Sequence, residues 1–367
     1  MRFTIAVHPD VWPLYGEQGY SFSEQWLEHL EAAGHNTRRV DATTSDFFEK
    51  LQGCDGLMWW FPPLPPHMHY ARRMLLALNH AMPRLTCYPN WQTCWHFDDK
   101  ISQFYLLQAA GIPVPRTWVF WHDAEAIAFC ERATYPLVLK LRTGSRSINV
   151  RLLQNANEAR AWIEILFGSG VFAIRKATPR ARLIRECTYD LLKLLTFGRL
   201  RAPSDGRDLQ KNYLLVQEFI SDNDFDIRIT VVGRKAFAFR RWNRPNDFRA
   251  SGSGMADYNP AEISHEAVRF GFLVARRLGT QCLCVDLLRQ GDRYLVSEIS
   301  YFFGWKGIKP CPGYWELSDS GELKWFDRIV QPELLMLEDF LFILAHKNSE
   351  FVAHPAPEDN TNSLINR

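Results

Sequence analysis

Two acidic residues lie inside two neighbouring apolar segments of the sequence. Segments 285–288 and 296–300 each read as a short strand, and residues 290–292 supply the turn of a hairpin between them. Asp286 and Glu298 therefore lie in strands that a core would bury, where a carboxylate needs cationic compensation. Two carboxylates on adjacent antiparallel strands can face one spot, and the usual compensation is a divalent metal ion that also holds a nucleotide phosphate. The pair predicts a metal site and raises the question of a phosphate site.

The composition is that of a globular protein and does not indicate which kind of molecule it binds. The 367 residues are 47% hydrophobic and 23% charged, which allows two or three domains with buried cores, and the net charge of +2 indicates no particular partner. The eight cysteines lack disulfide or zinc spacing, which favours buried free thiols in a reducing compartment. The chain begins with a strand rather than a signal peptide and has no apolar run of about 18 residues. We therefore expect a cytoplasmic protein.

A lysine followed by a Gly/Ser loop is the first candidate for a phosphate site. Lys140 closes the apolar strand 137–140, and the loop 142–147 follows it directly. A lysine with a buried stem needs an anion, and successive N–H groups of small residues can form an anion-binding nest. The alternative is a hairpin turn with a surface lysine, which is the more frequent case for such a loop taken alone.

Polar residues along three later strands are candidates for nucleotide and substrate contacts. Segment 214–220 is a strand with Glu218 near its end, and unpaired peptide groups at a sheet edge can bind an adenine. Arg228, Arg241 and Arg249 have the forked guanidinium geometry that suits phosphates and carboxylates. For the adenine segment the alternative is an ordinary edge strand, and for Arg228 it is a salt bridge to Asp226 or another acid.

Several common motifs are absent from the sequence. No G-x-G-x-x-G follows the first strand, and there is neither a phosphate loop of the G-x-x-x-x-G-K-[ST] type nor a G-x-S-x-G elbow. The close pair His67 and His69 lies on a proline-rich stretch without accompanying acids, so we do not expect zinc there.

The order of elements predicts an α/β domain followed by an α+β region. In residues 1–97 strands alternate with helices, which implies a parallel sheet. Residues 98–213 read as a small α+β unit with a basic insertion at 177–211, residues 214–348 as a strand-rich domain, and 349–367 as a disordered tail. The proline-rich segment 62–66 is predicted to be a loop at the carboxyl end of a strand, where ligands usually bind in such sheets.

The candidate residues occur in an order that resembles the ATP-grasp superfamily of carboxylate–amine ligases. The order is Lys100, Lys140 with its loop, segment 217–220, Asp226, Arg249, and then the acid pair. The resemblance runs from about residue 98 to 303 and is nearest to the ribosomal-protein glutamate ligase type. It implies an ATP-grasp fold with an N-terminal parallel α/β domain. A narrower similarity, through segments 249–254, 298–301 and 312–315, is to ATP-grasp proteins associated with surface-polysaccharide synthesis.

The resemblance implies a role for each matching residue. Phosphates of ATP would be held by Lys100 and Lys140, under a loop containing Ser145 and Ser147, and with Ser251 nearby. Adenine would be bound by Gln217, Glu218, Phe219 and Ile220, and a ribose hydroxyl by Asp226, with Asp224 as the alternative. Arg249 would stabilise the transferring phosphoryl group, while Arg228 or Arg241 would orient the reacting carboxylate. Asp286 and Glu298 would bind Mg²⁺, with Mn²⁺ as the alternative ion, and Ser300 stands where the family usually has a third, asparagine ligand.

Three functions remain open on the sequence alone. The first is a ligase that forms an acyl phosphate from ATP and joins a small or sugar-linked carboxylate to an amine. The second is a non-catalytic nucleotide-binding protein on the same fold, suggested by the departure at Ser300. The third is a module that binds an anionic polymer or a membrane surface through the basic insertion, in which segment 189–195 could form an amphipathic helix. We expect no nucleic-acid partner, and a homo-oligomer is left open.

Overall fold

The chain divides into two compact units. The computed structural model describes residues 1–10, 21–144, 147–173 and 208–347. The larger unit comprises residues 1–97, 105–114 and those from 220 onward, and the smaller unit comprises 98–104 and 115–219. The basic insertion, except for residues 208–211, and the polar tail lie outside the described residues.

The larger unit opens with a parallel sheet, as the alternating pattern predicts. Its strands are β1 (Thr4–Val7), β2 (Asn36–Arg39), β3 (Gly56–Met58) and β4 (Thr86–Tyr88). They lie in the order β2-β1-β3-β4. The helices of this region are α1 (Phe22–Ala32), α2 (Phe47–Lys50), α3 (Pro65–Ala81) and α4 (Trp91–Cys94). Helix α1 begins where the Ser21 hydroxyl accepts a hydrogen bond from the Glu24 N–H, and it buries Trp26 and Leu30 against the sheet.

The proline-rich segment is only partly the loop that the sequence predicts. Pro65 and Pro66 are the first residues of α3, although the helical pattern becomes clear only from Tyr70. Proline is well tolerated in the first turn of a helix, where its missing N–H would have no partner in any case. The predicted loop is therefore shortened to residues 62–64.

The smaller unit is built on a four-stranded antiparallel sheet. Its strands are β5 (Thr117–Phe120), β6 (Leu137–Lys140), β7 (Val150–Leu153) and β10 (Leu214–Glu218), in the order β5-β10-β6-β7. Helix α5 (Lys100–Ala109) precedes this sheet in the chain, and helices α6 (Asp123–Cys130) and α7 (Ala156–Phe167) lie within the unit. The short strands β8 (Val171–Phe172) and β9 (Leu209–Gln210) pair with each other.

Strand β10 corrects two expectations from the sequence. It is a central strand, with peptide groups paired to β5 on one side and β6 on the other, so it is not the exposed edge that would offer free peptide groups to an adenine. Because of these pairings, residues 214–219 also belong to the smaller unit rather than to a separate C-terminal domain.

The second sheet of the larger unit carries the acid pair. Its strands are β11 (Phe225–Val232), β12 (Lys235–Trp242), β13 (Ala256–Asp257), β14 (Cys282–Gln290), β15 (Arg293–Ser300), β16 (Tyr314–Leu317) and β17 (Leu323–Phe326). The order is β15-β14-β11-β12-β16-β17, with β13 paired to β12. The helices are α8 (His265–Arg277), α9 (Trp305–Ile308) and α10 (Pro332–His346). The sequence predicts one helix over 260–278, but α8 begins only after Ser264, whose hydroxyl accepts from the Ala267 N–H.

The two faces of this sheet have different neighbours. Side chains such as Ile229, Val285 and Ile299 pack in one core with residues of α8, including Phe270 and Val274. On the other face Phe237, Phe239, Cys282 and Cys284 belong to a core that also contains the N-terminal sheet. In that core Trp60 stacks on Phe302, with ring centroids 4.9 Å apart. The N-terminal region and residues after 220 thus share one core and are not the separate domains expected from the sequence.

Six of the seven described cysteines are buried and all seven are free thiols, as the sequence predicts for them. Cys54 is half-buried. Among the described residues, no helix is long and apolar enough to cross a membrane.

Candidate functional site

Four charged side chains lie together on one face of the second sheet of the larger unit. Asp226 and Arg228 alternate along β11 and therefore point to the same face. Strand pairing places Arg241 of β12 opposite Asp226, and Asp286 of β14 opposite Arg228. We call these four residues the arginine–aspartate array.

Hydrogen bonds join the array into a continuous chain of alternating charge. The Arg228 Nε donates to Asp286 Oδ1 at 2.7 Å, and its Nη2 donates to Asp286 Oδ2 at 2.8 Å. The Arg241 guanidinium makes the same bidentate contact with Asp226, at 2.7 and 2.6 Å. Its Nη2 also lies 2.7 Å from Asp286 Oδ2, above the intervening strand β11. Forked contacts of this kind fix the orientation of both partners.

Three residues of the array are buried and Arg228 is half-buried, and the two carboxylates respond differently to these surroundings. Asp286 is 4% exposed, and Asp226 is 8% exposed. Burial raises the pKa of each carboxyl, but Arg228 and Arg241 together bring the pKa of Asp286 below its ordinary value. The pKa of Asp226 remains raised, because burial and the nearby Asp286 charge outweigh the contact with Arg241 and the charge of Arg228. Asp286 is thus the carboxylate that the array keeps ionised most strongly.

The acid pair has the predicted antiparallel geometry. Asp286 lies directly opposite Glu298 on β15, and a register shift follows between Asp286 and Leu287. Asp286 is compensated by two arginines, so the salt-bridge alternative that the sequence left open for Arg228 holds in this structure, with Asp286 as the acid. Ser300 lies two residues beyond Glu298, and its hydroxyl donates to the Phe302 carbonyl at 2.8 Å.

Arg249 is held by an acid that the sequence analysis did not assign to the site. Asp247 receives the Arg249 Nε at 2.9 Å and Nη2 at 2.6 Å, and it also accepts the Arg249 backbone N–H at 3.0 Å. Burial raises the pKa of Asp247, but the contacts with Arg249 lower it overall. The carbonyl of Ser251 accepts from Arg244 Nη2 at 2.7 Å, which fixes the turn after Arg249.

In the smaller unit, side chains hold the backbone of the Gly/Ser loop on both sides. The Asp98 carboxylate accepts the Gly144 N–H at 2.7 Å, and Lys100 Nζ donates to the Gly144 carbonyl at 2.6 Å. Asn149 fills the remaining space, since a Cβ at Gly144 would lie 2.1 Å from its Nδ2. The Gly144 N–H of the predicted anion nest therefore already has a carboxylate partner. Asp98 was not among the residues that the sequence singled out as ligands.

Two other predicted phosphate contacts lie at the end of β6 and in the turn that follows it. Lys140 ends β6 opposite Val150 and is half-buried, and Ser147 follows in a turn with a φ of 53°. Ser145 lies outside the described residues.

The predicted adenine segment is fixed by residues at the end of β10. Glu218 accepts the Arg116 backbone N–H at 2.7 Å and its Nε at 2.8 Å, while Gln217 Nε2 donates to the Thr117 hydroxyl at 2.8 Å. Regular pairing stops after Glu218, so Phe219 and Ile220 follow the sheet rather than form part of it. Arg116 gave no signal in the sequence, because its contact depends on the pairing of β5 with β10.

Comparison with known proteins agrees with this architecture. The model of the RimK-like ATP-grasp domain matches residues 200–311. A probable alpha-L-glutamate ligase 1 from Hahella chejuensis is 27% identical over 219 residues, 59% of this chain and 58% of that protein. An alpha-aminoadipate–LysW ligase, LysX, from Saccharolobus solfataricus is 24% identical over 205 residues, 55% of this chain and 61% of that protein. The crystal structure of a RimK domain protein of Sphaerobacter thermophilus aligns with a TM-score of 0.50 at 18% identity, covering 92% of this chain and 99% of that one.

These similarities confirm the predicted fold, and the chain has the ATP-grasp fold. The chain spans about three fifths of the length of the two ligases named above, at 58% and 61%.

Proposed function

Starting from the ATP-grasp fold, we propose that the protein joins a carboxylate to an amine at the expense of ATP. The observation that carries the proposal is the arginine–aspartate array beside Glu298, on one face of the second sheet of the larger unit. Alternating arginines and carboxylates, already oriented by one another, suit a reaction in which negative charge moves between phosphate and carboxylate oxygens.

The proposed reaction has two steps. In the first, a carboxylate oxygen of the acid attacks the γ-phosphorus of ATP, the bond to the bridging oxygen breaks, and ADP leaves. In the second, the amine nitrogen attacks the carbonyl carbon, phosphate departs with the electron pair of the carbon–oxygen bond, and the nitrogen loses a proton. A free carboxylate would have to expel oxide, whereas the acyl phosphate expels phosphate. Catalysis of such transfers is mostly positioning and charge stabilisation.

Arginines of the larger unit would supply that stabilisation. Arg249 is the proposed partner of the transferring phosphoryl group, and Arg228 or Arg241 would orient the acid. Each is held by a carboxylate, Asp247 for Arg249 and the array for the other two. A guanidinium held in place loses little side-chain entropy when its partner arrives. Lys100 and Lys140 of the smaller unit remain proposed phosphate ligands.

The acid pair is the proposed position of a magnesium ion. Mg²⁺ usually binds through one or two carboxylates together with phosphate oxygens and water. Asp286 and Glu298 lie directly opposite each other. Both Asp286 oxygens already accept from Arg228, and Oδ2 also contacts Arg241, so binding of the ion through Asp286 would replace at least one of these contacts. No group of three or more His, Cys, Asp or Glu residues that could hold a metal occurs within the described ranges, so a protein-only cage is not expected there. When bound, the ion would neutralise charge on the phosphates.

We expect one metal ion rather than two. The Ser300 hydroxyl, at the position of the family's usual third ligand, is engaged with the backbone of Phe302 as both donor and acceptor. A serine is also shorter than the asparagine that it replaces. Mg²⁺ titration of the nucleotide complex, followed by isothermal calorimetry, should give a stoichiometry near one.

The first substrates to examine are acidic amino acids. The two relatives carry glutamate and aminoadipate in their names, and a side-chain carboxylate could meet the arginines of the site. The sugar-linked acceptor suggested by the narrower sequence similarity has no support in these two names and remains a hypothesis.

Trapping of the acyl phosphate tests the proposal. With ATP, Mg²⁺, a panel of acids and hydroxylamine, we expect an acyl hydroxamate together with ADP and phosphate in equal amounts. Glu298→Gln should lower the rate by at least about 100-fold, since the loss of one preorganised charge costs about 10²–10³ in comparable sites. Release of AMP and pyrophosphate would instead show an acyl adenylate and contradict the mechanism. Tight ATP binding without turnover across acids and amines would favour the non-catalytic alternative.

A further inference from the structure

The sequence resemblance assigns Asp226 to a ribose hydroxyl, but its surroundings suggest a different role. Both carboxylate oxygens accept from the Arg241 guanidinium, at 2.7 and 2.6 Å. The residue is 8% exposed, and Arg241 is 7% exposed. A carboxylate buried in a bidentate pair could accept from a sugar hydroxyl only by giving up or sharing a charge-assisted contact, which is costly.

We propose that Asp226 is a positioning residue that holds Arg241 for the phosphoryl and acyl transfer, and that it does not select the ribose. This inference rests on the proposed function, because it assumes that ATP is the nucleotide and that Arg241 contacts the reacting groups.

The geometry explains why Arg241 needs such a residue. Arg241 extends from β12, whereas Asp286 lies on β14, and β11 runs between them. The guanidinium reaches Asp286 with Nη2 alone, at 2.7 Å. Without a second anchor, that single contact would leave the planar group free to rotate about it. The bidentate contact with Asp226 fixes its plane, because two parallel N–H···O bonds define a direction as well as a distance.

The same chain of contacts ties the arginine to the acid pair. Asp286 accepts from Arg228 on one side and Arg241 on the other, and it faces Glu298 across the strand pair. Moving Arg241 therefore changes the environment of the carboxylate that is proposed to face the metal. Loss of Asp226 should act on the rate of transfer more than on the binding of the nucleotide.

The chain offers a matched control one residue away. Arg240 is also on β12 but points to the opposite face, where it pairs with Asp257 and lies 2.9 Å from Glu262. Asp257→Asn removes a carboxylate from an arginine of the same strand without touching the array.

The experiment compares the unaltered protein with Asp226→Asn, Arg241→Lys, the double variant and Asp257→Asn. Turnover is measured with ATP, 2′-deoxy-ATP and 3′-deoxy-ATP. For Asp226→Asn we expect kcat to fall about 10- to 100-fold, as when a catalytic group is displaced by about 1 Å. The preference for ATP over both deoxy analogues should stay within about 2-fold of the unaltered protein. In the Arg241→Lys background the same substitution should have little further effect, because the residue acts through Arg241. Asp257→Asn should keep the kcat and the preference of the unaltered protein.

Two outcomes would overturn the inference while leaving the ligase activity intact. One is a fall of about 10-fold or more in the preference for ATP over either deoxy analogue, as expected when a buried partner of a hydroxyl is lost. The other is a fall in kcat on Asp226→Asn that is as large in the Arg241→Lys background as in the unaltered protein. Failure of the proposed function is distinguishable, since it would show as absent turnover in the unaltered protein.

Two measurements decide the inference even without turnover. Calorimetric binding of ATP and the deoxy analogues reports sugar selectivity directly. Urea unfolding of the unaltered protein, Asp226→Asn, Arg241→Lys and the double variant measures the coupling between the two residues. The urea midpoint of the double variant should fall by less than the sum of the two single shifts. Additive shifts would mean that Asp226 and Arg241 do not hold each other, and the positioning role would be rejected.

Discussion

The second sheet of the larger unit has a charged end and an apolar end on one face, and a carboxylate lies near each. Asp286 at the charged end is buried, and Asp339 near the apolar end is half-buried. Asp286 is held by Arg228 and Arg241, so its pKa is lowered in spite of burial. Asp339 of α10 lies by the β11–β12 turn, where Gly233, Tyr88 and Cys282 are its neighbours. Burial raises the pKa of Asp339 to about 7, with Tyr88 and Lys235 offsetting it only in part.

The difference shows that the partner decides the state of a buried acid. Both residues lose hydration, but only Asp286 gains guanidinium groups in return. Near the apolar end, Asp339 has no guanidinium partner among the described residues and keeps its proton up to about pH 7. Along one face, the same side-chain type thus serves as a fixed charge in one place and as a nearly neutral group in the other.

The largest effect should come from breaking the charged end. In Asp286→Ala, the buried Arg241 and the half-buried Arg228 lose their shared carboxylate. We expect the free energy of unfolding to fall by about 3–5 kcal/mol, together with loss of ATP turnover. Urea denaturation followed by circular dichroism measures the loss. Asp257→Ala on the opposite face is the control, with an expected cost of at most about 1 kcal/mol. Equal costs for the two variants would show that the array contributes no more than a surface pair.

Asp339, near the apolar end, should make the stability of the fold fall as pH rises. The Asp339 carboxyl stays protonated in the folded chain up to about pH 7, whereas in the unfolded chain it ionises near its ordinary pKa of 3.8. The unfolded state therefore binds fewer protons between these values, so stability should fall as pH rises from about 4 to about 7 and then level off.

Replacing this carboxyl with a neutral amide tests that sign. Asp339→Asn should be more stable than the unaltered protein at pH 8, by up to about 4 kcal/mol, and the difference should vanish toward pH 4. Thermal melts across this pH range measure it. Parallel stability curves for the two proteins would show that Asp339 is ionised in the folded state.

The smallest effect is expected midway along the face. Thr230 Oγ1 lies 3.1 Å from Cys284 Sγ, and both residues are buried between the two ends. Thr230→Val should cost about 1 kcal/mol for the lost hydrogen bond, with turnover within about 2-fold of the unaltered protein. Urea midpoints and phosphate release give the two values. A loss of turnover above about 10-fold would extend the functional region beyond the array.

The sequence predicts the local elements of this molecule better than it predicts which distant elements pack or pair with them. The hairpin that carries Asp286 and Glu298 follows from alternation and a turn, both of which are encoded within 16 residues, and its pairing is confirmed. The contacts of Asp286 with Arg228 and Arg241 depend on the strand order β14-β11-β12, which joins segments far apart in the chain. For the same reason β10 was expected at an edge, although it is central. Helix α10 has apolar residues on most sides, and without a clear periodicity it was not predicted.

The Asp98 contact shows a further limit of sequence reasoning. A Gly/Ser loop after a lysine indicates an anion site only if its N–H groups face outward, and Gly144 directs its N–H to Asp98. That contact spans 46 residues of sequence and involves an aspartate with a φ of 54°, which local patterns do not encode.

The zero net charge of the arginine–aspartate array has a consequence for how a ligand would arrive. Two guanidinium groups and two carboxylates, when all are ionised, cancel at distances beyond about 8–10 Å, the screening length at moderate salt. The array therefore exerts little pull on a distant polyanion, and its arginines act only once the ligand is in contact. Its share of the association rate should be almost independent of ionic strength, so any strong salt dependence of nucleotide capture must come from charges elsewhere in the chain.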